Sequence, residues 1–563
     1  MISKTCIYLF VIFQLLISSA YAQRPEVSAS GINGAVVSVD KYASIVGVEI
    51  LKKGGNAIDA AIATAFTLAV TYPAAGNIGG GGFMLIHLAN GENVVIDYRE
   101  TAPELSTVAM FLNEKGEVDI EKSTFGYLVA GVPGTIAGME IAWTKYGKLP
   151  WKDLLEPAIN LAANGFILDS LIATRTNNEK TGFLRYPEST KIFTRKDKNL
   201  FKPGDIFLQK DLAKTLKLIA KKGAKEFYEG KIAKKIVKDF RANKGILTKN
   251  DLKNYKPIIR KASIGTYNDL EIITTPLPSG GPVVLQILSI LENFDLQNLS
   301  IADQLHIKAE AMRIGFWERV QNDGDPDFSV ISSKESLNKN YSKMLAKKIS
   351  LERVIDNEEL KSKTKIFKEN LETTHFCVVD KYGNIVSNTF TIENLFGSKA
   401  VVKDLGFLLN NEMHDFNIRP NEVNQQGGYG NNPNLIEGGK RMLSSMSPII
   451  VMKNGKPVMV SGSPGGRSII NTMVNLISAY SENKYSGREV IDLPRINHNW
   501  MPDELLVETG KFDIETLNKL KQKGQIIKDI IALGDAHTIF IDETKIKYHG
   551  EADKRLRGSA VAY

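Results

Sequence analysis

The chain has 563 residues, 43% of them hydrophobic and 24% charged, with 71 Lys and Arg against 63 Asp and Glu. Those proportions exclude wholesale disorder and leave room for a large core in one or several domains. A net charge of +8 is modest for this length and by itself points to no polyanionic partner.

At the N-terminus, Lys4 precedes an apolar run from Ile7 to Ile17. Ala20-Tyr21-Ala22 then offers an A-x-A cleavage site before Gln23-Arg24-Pro25. The pattern predicts a secretory signal peptide over residues 1–22, too short to favour a permanent span, and hence a periplasmic or secreted protein. Its removal takes Cys6 away, so Cys377 alone remains and no internal disulfide forms. In Phe376-Cys377-Val378-Val379 that cysteine is expected to be a small buried hydrophobe.

A short buried strand is predicted from Gly34 to Val39. A helix follows from Tyr42 to Lys53, ended by Gly54-Gly55, and a second from Ala57 to Val70, capped by Asn56 and apolar nearly all round. Next come the run Gly76-Asn77-Ile78-Gly79-Gly80-Gly81-Gly82 and strands from Phe83 to Leu88 and Val94 to Tyr98. The run follows a helix and lacks the Lys-Ser/Thr of a P-loop. It therefore reads as a tight loop for close backbone approach, not a phosphate cradle.

Residues 150–260 read as mainly helical. Lys210, Lys214, Lys217, Lys221, Lys234 and Lys238 fall at helical spacings between apolar residues and predict solvated helix faces. No recognition motif with interleaved aromatics supports nucleic-acid binding. The stiff loop Thr275 to Pro282 precedes a helix from Val283 to Leu291, and another helix runs from Ile301 to about Val320.

A polar run, Glu352 to Asn370, leads into Glu372-Thr373-Thr374-His375. Thr373 to Asp380 and Ile385 to Thr391 flank Gly383-Asn384 and predict a hairpin. A second, from Ile449 to Val460, turns at Asn454-Gly455. Gly462 to Arg467 then opens a helix running to about Tyr480. Strands and helices intermixed at these spacings argue for a layered α/β or α+β protein.

Seven histidines are scattered without H-E-x-x-H or paired Cys/His spacing, so no metal site is expected. Ser463 lacks the G-x-S-x-G context of a hydrolase elbow. The residues alone reach a secreted enzyme or binding protein with a polar pocket. They leave Thr373 open between strand surface and a nucleophile exposed when the chain cuts itself.

Several long stretches, in order, resemble the γ-glutamyltranspeptidase family across nearly the whole mature chain. They include Gly54 to Ala61, Gly76 to Phe83, Ile96 to Pro103, Thr373-Thr374-His375, Thr389-Phe390-Thr391 and Leu409 to Glu412. Leu443 to Pro448, Gly462 to Gly466 and Trp500 to Leu505 continue the likeness. The resemblance implies an α+β N-terminal-nucleophile hydrolase, an αββα sandwich built from two subunits made by autocleavage at Glu372–Thr373. Residues 23–372 would form the large subunit and 373–563 the small, catalytic one, held together as a heterodimer.

The same resemblance implies Thr373 as nucleophile, oriented by a hydrogen bond from Thr391, with the backbone N–H groups of Gly465 and Gly466 as oxyanion hole. It implies Arg99, Ser444 and Ser445 for a substrate α-carboxylate, and Glu412, Asp415 and Glu393 for the α-ammonium. Residues 421–439 would be a lid over the pocket. Glutathione and related γ-glutamyl compounds would be substrates, with water, amino acids or dipeptides as acceptors. No cofactor, metal, nucleic acid or lasting membrane span is implied. A glutaryl- or cephalosporin-type acylase of the same fold is the near alternative, and a non-catalytic binding protein the distant one.

Overall fold

The computed structural model describes residues 26–328, 337–356, 372–417, 432–542 and 547–563. The expected signal segment, residues 357–370 of the polar run and residues 421–431 of the expected lid lie outside these. The strand Thr374–Asp380 explains the layering. Successive strand side chains point to opposite faces. Phe376 and Val378 therefore pack towards helices, while Cys377 and Val379 pack towards a second sheet. Both faces are covered, and all seven residues are buried.

This strand lies in an antiparallel sheet ordered Ser559–Ala562, Gly34–Ser38, Thr374–Asp380, Ile385–Thr391, Gly81–His87, Asn93–Asp97 and Ile258–Lys261. The second sheet, also antiparallel, runs Ser28–Gly31, Lys547–Ala552, His537–Asp542, Lys456–Gly462, Ile449–Lys453, Leu270–Thr274 and Ser263–Tyr267. Between them lie Val37, Leu85, Val95, Cys377, Ile450 and Ile539. The helices Lys41–Lys52 and Ala57–Thr71 cover the first sheet, and Gly281–Leu291, Ile301–Asn322 and Ser468–Ser481 cover the second. The result is the expected αββα sandwich.

Local chemistry sets the element ends. Asn56 caps Ala57–Thr71 through a capping box with Asp59, and every residue of that helix is buried. Asp40 caps Lys41–Lys52, accepting from the Ala43 N–H. At the second hairpin, Asn454 and Gly455 both take positive φ, 52° and 75°, as a two-residue turn of that hand requires. The glycine-rich run does allow close approach: a Cβ on Gly80 would sit 2.0 Å from the Thr391 carbonyl oxygen. Among the described residues no helix is long and apolar enough to cross a membrane.

Candidate active site

Thr373 lies at the head of the strand Thr374–Asp380 and is buried. Its hydroxyl donates to the carbonyl oxygen of Glu372 at 2.7 Å. The Thr391 hydroxyl donates to the same oxygen at 3.3 Å and accepts from the Glu393 N–H at 2.8 Å. The expected bond from Thr391 to the Thr373 hydroxyl is thus replaced here. With the Glu372–Thr373 peptide intact, its carbonyl is the acceptor both hydroxyls reach. Asn77 fixes this end of the Thr391 strand, donating to the Thr391 carbonyl at 2.8 Å and accepting from the Gly80 N–H.

The glycine pair belongs to the loop after Lys456–Gly462. Gly462 lies against the His375 ring, where a Cβ would approach within 2.2 Å, so that loop leaves its strand two residues along from Thr373. Gly465 and Gly466 take φ of 130° and 53°, which side chains resist. Their carbonyls accept from Ser468 and Ile469 as the helix Ser468–Ser481 begins. Unpaired N–H groups at such a helix start suit a developing negative charge.

Arg99, just past the strand Asn93–Asp97, is fully buried and forms the second focus. Its guanidinium contacts Glu412 at 2.5 Å, pairs with Asp415, and lies 3.5 Å from Glu100. It also donates to the carbonyls of Leu443, at 2.9 Å, and Met442, at 3.3 Å, which fixes the segment leading into Ser444 and Ser445. Burial opposes the Arg99 charge, but Glu412, Asp415 and Glu100 outweigh it and make the group more basic than usual. Burial pushes the Glu412 carboxyl up to about 8 and holds that of Glu100 well above its ordinary range. Ser444 accepts from the Met446 N–H at 3.1 Å, which leaves its own proton to donate; Ser445 is half-buried beside it.

Glu393 is held at φ 74°, in the left-handed region that a side chain adopts at a cost. Carboxylate oxygens of Glu393, Glu412 and Asp415 lie within 4.8 Å of one another, a grouping that suits a cation. Arg99 already supplies one positive charge to it. The remaining negative charge, offered by several separate oxygens, matches an ammonium with its three N–H donors.

Sequence reasoning missed Arg175, whose guanidinium meets Glu372 at 2.8 Å. No local signal marks a contact between residues 197 apart in sequence. Glu100 and Asn77 were visible inside quoted stretches, but nothing in those stretches distinguishes a buried proton-holding carboxyl or a strand-end clamp from ordinary polar residues.

Residues 43–563 match the family described as Gamma-glutamyltranspeptidase. The glutathione hydrolase proenzyme of Escherichia coli (strain K12) is 41% identical over 525 residues, 93% of this chain and 90% of that one. The glutathione hydrolase proenzyme of Pseudomonas aeruginosa is 38% identical over 564 residues, 98% of each chain. The crystal structure of cephalosporin acylase from Bacillus halodurans has a TM-score of 0.84 over 96% of this chain and 98% of its own; at 24% identity it shares the fold alone. Helicobacter pylori gamma-glutamyltranspeptidase is 46% identical, with a TM-score of 0.56 over 57% of this chain and 93% of its own. The chain is an enzyme of the gamma-glutamyltranspeptidase family.

Proposed function

We propose that the chain is a proenzyme that cuts itself between Glu372 and Thr373 and then transfers γ-glutamyl groups from glutathione and related compounds to water, amino acids or dipeptides. The observation that carries this is the convergence of both threonine hydroxyls on the Glu372 carbonyl. Attack of the Thr373 oxygen on that carbonyl carbon, with its proton passing to the amide nitrogen, breaks the peptide and forms an ester. Water then hydrolyses the ester to a Glu372 carboxylate and a Thr373 with free hydroxyl and amine. A terminal amine with an ordinary pKa of about 7.7–8.0 serves as general base at neutral pH, which an amide cannot. Self-cleavage therefore creates the catalyst.

In the cut enzyme, Arg99 with Ser444 and Ser445 takes the substrate α-carboxylate, and Glu412, Asp415 and Glu393 take the α-ammonium. The γ-carbonyl then meets the Thr373 hydroxyl, and the N–H groups of Gly465 and Gly466 stabilise the oxyanion. Thr391 changes partner, from the departed Glu372 carbonyl to the Thr373 hydroxyl. Attack by the Thr373 hydroxyl forms a γ-glutamyl-threonyl ester as cysteinylglycine leaves with a proton on its amine. Water or an amine acceptor then attacks the ester and frees the Thr373 hydroxyl. Residues 23–372 and 373–563 stay together as two subunits, exported by the segment 1–22. A glutaryl substrate has no ammonium to set against the three carboxylates, which disfavours the acylase reading.

Intact-mass measurement with sequencing of any internal N-terminus should find a chain beginning at Thr373. γ-Glutamyl-p-nitroanilide should be cleaved in preference to glutaryl-p-nitroanilide; the reverse preference would overturn the substrate assignment.

A further inference from the structure

Glu372 is gripped by its side chain as well as by its place in the chain. The Arg175 guanidinium donates to its carboxylate at 2.8 Å, and the two side chains are only 11% and 12% exposed. Arg175 is itself braced. It sits on the helix Ser170–Asn178, whose Asp169 cap accepts from the Ile172 N–H. It contacts the Tyr72 hydroxyl and lies 5.7 Å from the centre of that ring. Tyr72 ends the fully buried helix Ala57–Thr71, so the grip is anchored in the core of the large subunit.

A buried ion pair is a poor stabiliser, because desolvating both charges offsets their attraction; its best-attested use is to set position. Position is what the seam needs. Downstream, Thr373 is fixed by the strand Thr374–Asp380 and its neighbours. Upstream, among the described residues, the side chain of Glu372 offers a handle on the acyl side of the scissile bond. Pinning it holds the carbonyl at the Thr373 hydroxyl and stops it swinging away, the kind of orientation that lowers the barrier to an intramolecular attack.

We infer that Arg175, braced by Tyr72, is a positioning residue for self-cleavage, holding Glu372 so that its carbonyl stays against the Thr373 hydroxyl. This rests on the proposed cut at Glu372–Thr373. The grip is complete only while Glu372 is ionised. Burial raises the Glu372 carboxyl to about 7, against the pull of Arg175, with Asp535 raising it further and Lys399 lowering it. Tyr72 and Arg557, the latter 5.3 Å from the Tyr72 ring centre, complete the charged and titratable surroundings. Cleavage should therefore slow as pH falls through about 7.

The test follows conversion of freshly purified full-length precursor into two chains, by gel and mass, between pH 5.5 and 9. Arg175→Ala should slow conversion on the order of tenfold or more at pH 8, and Arg175→Lys should recover part of the rate. Glu372→Gln should convert slowly and lose the wild-type fall in rate near pH 7. Thermal unfolding of each uncut precursor supplies the structural control. Wild-type conversion rates in Arg175→Ala overturn the inference. So does slowing matched by Leu288→Ala, a variant in the separate core beneath the second sheet, at equal loss of Tm. An unchanged pH profile in Glu372→Gln also overturns it. A wild-type chain that is cut elsewhere, or stays whole, overturns the proposed cleavage itself.

Discussion

Two arginines, Arg99 buried and Arg175 nearly so, face carboxylates near Thr373, and their surroundings differ in one respect. Arg175 makes a direct ion pair with a single carboxylate, that of Glu372, with Asp535 and Lys399, of opposite charge, acting on that pair from around it. Arg99 meets Glu412, Asp415 and Glu100, with Glu393 also acting on it, so carboxyl groups outnumber the cation. A balanced pair is complete and suits a latch. An unbalanced cluster in a buried site holds protons or suits a ligand that brings its own cation. An amino-acid head, carrying one carboxylate and one ammonium, could exchange partners with Arg99 and satisfy the rest.

The largest expected effect separates the two regions outright. Thr373→Ala should stay a single chain without transfer activity, because both the cut and the nucleophile need that hydroxyl. The Arg99 cluster should remain intact in it. Two normal fragments from this variant would remove Thr373 from the seam.

Breaking the unbalanced cluster comes next. Arg99→Lys keeps the charge but not the fork that meets Glu412 and Asp415 on separate nitrogens. A rise in KM for γ-glutamyl-p-nitroanilide of about tenfold to a hundredfold is expected, equivalent to roughly 1.4–2.8 kcal/mol of lost binding. An unchanged KM would show that substrate does not use this guanidinium.

Glu412 sharpens the comparison through pH. Its carboxyl, pushed up to about 8 by burial, must ionise before it can pair with an ammonium. The wild-type kcat/KM should therefore rise with pH through two ionisations, this one and that of the Thr373 amine near roughly 7.7–8.0. Glu412→Gln should lower kcat/KM several-fold and leave a single ionisation. If both proteins give the same two-step profile, Glu412 does not titrate in the free enzyme.

Sequence disclosed these regions unequally. Local signals such as the Gly383-Asn384 turn and the Asn56 cap reached only layered strands and helices, and the αββα sandwich came from the family stretches. Arg99, Glu412, Asp415 and the glycine pair came from family stretches, which mark identity but not protonation or partner. The Thr391 bond implied by those stretches belongs to a cut enzyme, whereas in the uncut chain the Thr391 hydroxyl donates to the Glu372 carbonyl. Arg175 was invisible: its meaning depends on a partner 197 residues away, brought near only by the packing of its helix. Balanced pairs between distant residues leave no pattern, whereas clustered site residues in loops do.

The smallest effect probes the protons that the unbalanced cluster retains. Both Glu100 side-chain oxygens are buried without hydrogen-bond partners among the described residues, and burial keeps the carboxyl well above its ordinary range. Gln has nearly the same shape and no charge to lose, so Glu100→Gln should keep activity within about threefold at neutral pH. Stability should move in a fixed direction. An acid whose folded pKa is raised contributes its full stability below the unfolded value, about 4.5, and loses it as pH rises towards the folded one. At pH 8 the unfolded wild-type chain gains by ionising Glu100, a gain denied to the variant. Glu100→Gln should therefore melt a degree or more, roughly 1–3 °C, above wild type at pH 8, with the difference shrinking towards pH 5. A variant that melts lower at pH 8 than at pH 5, relative to wild type, would mean that Glu100 is ionised beside Arg99. The cluster would then carry one more negative charge than its protonation pattern implies.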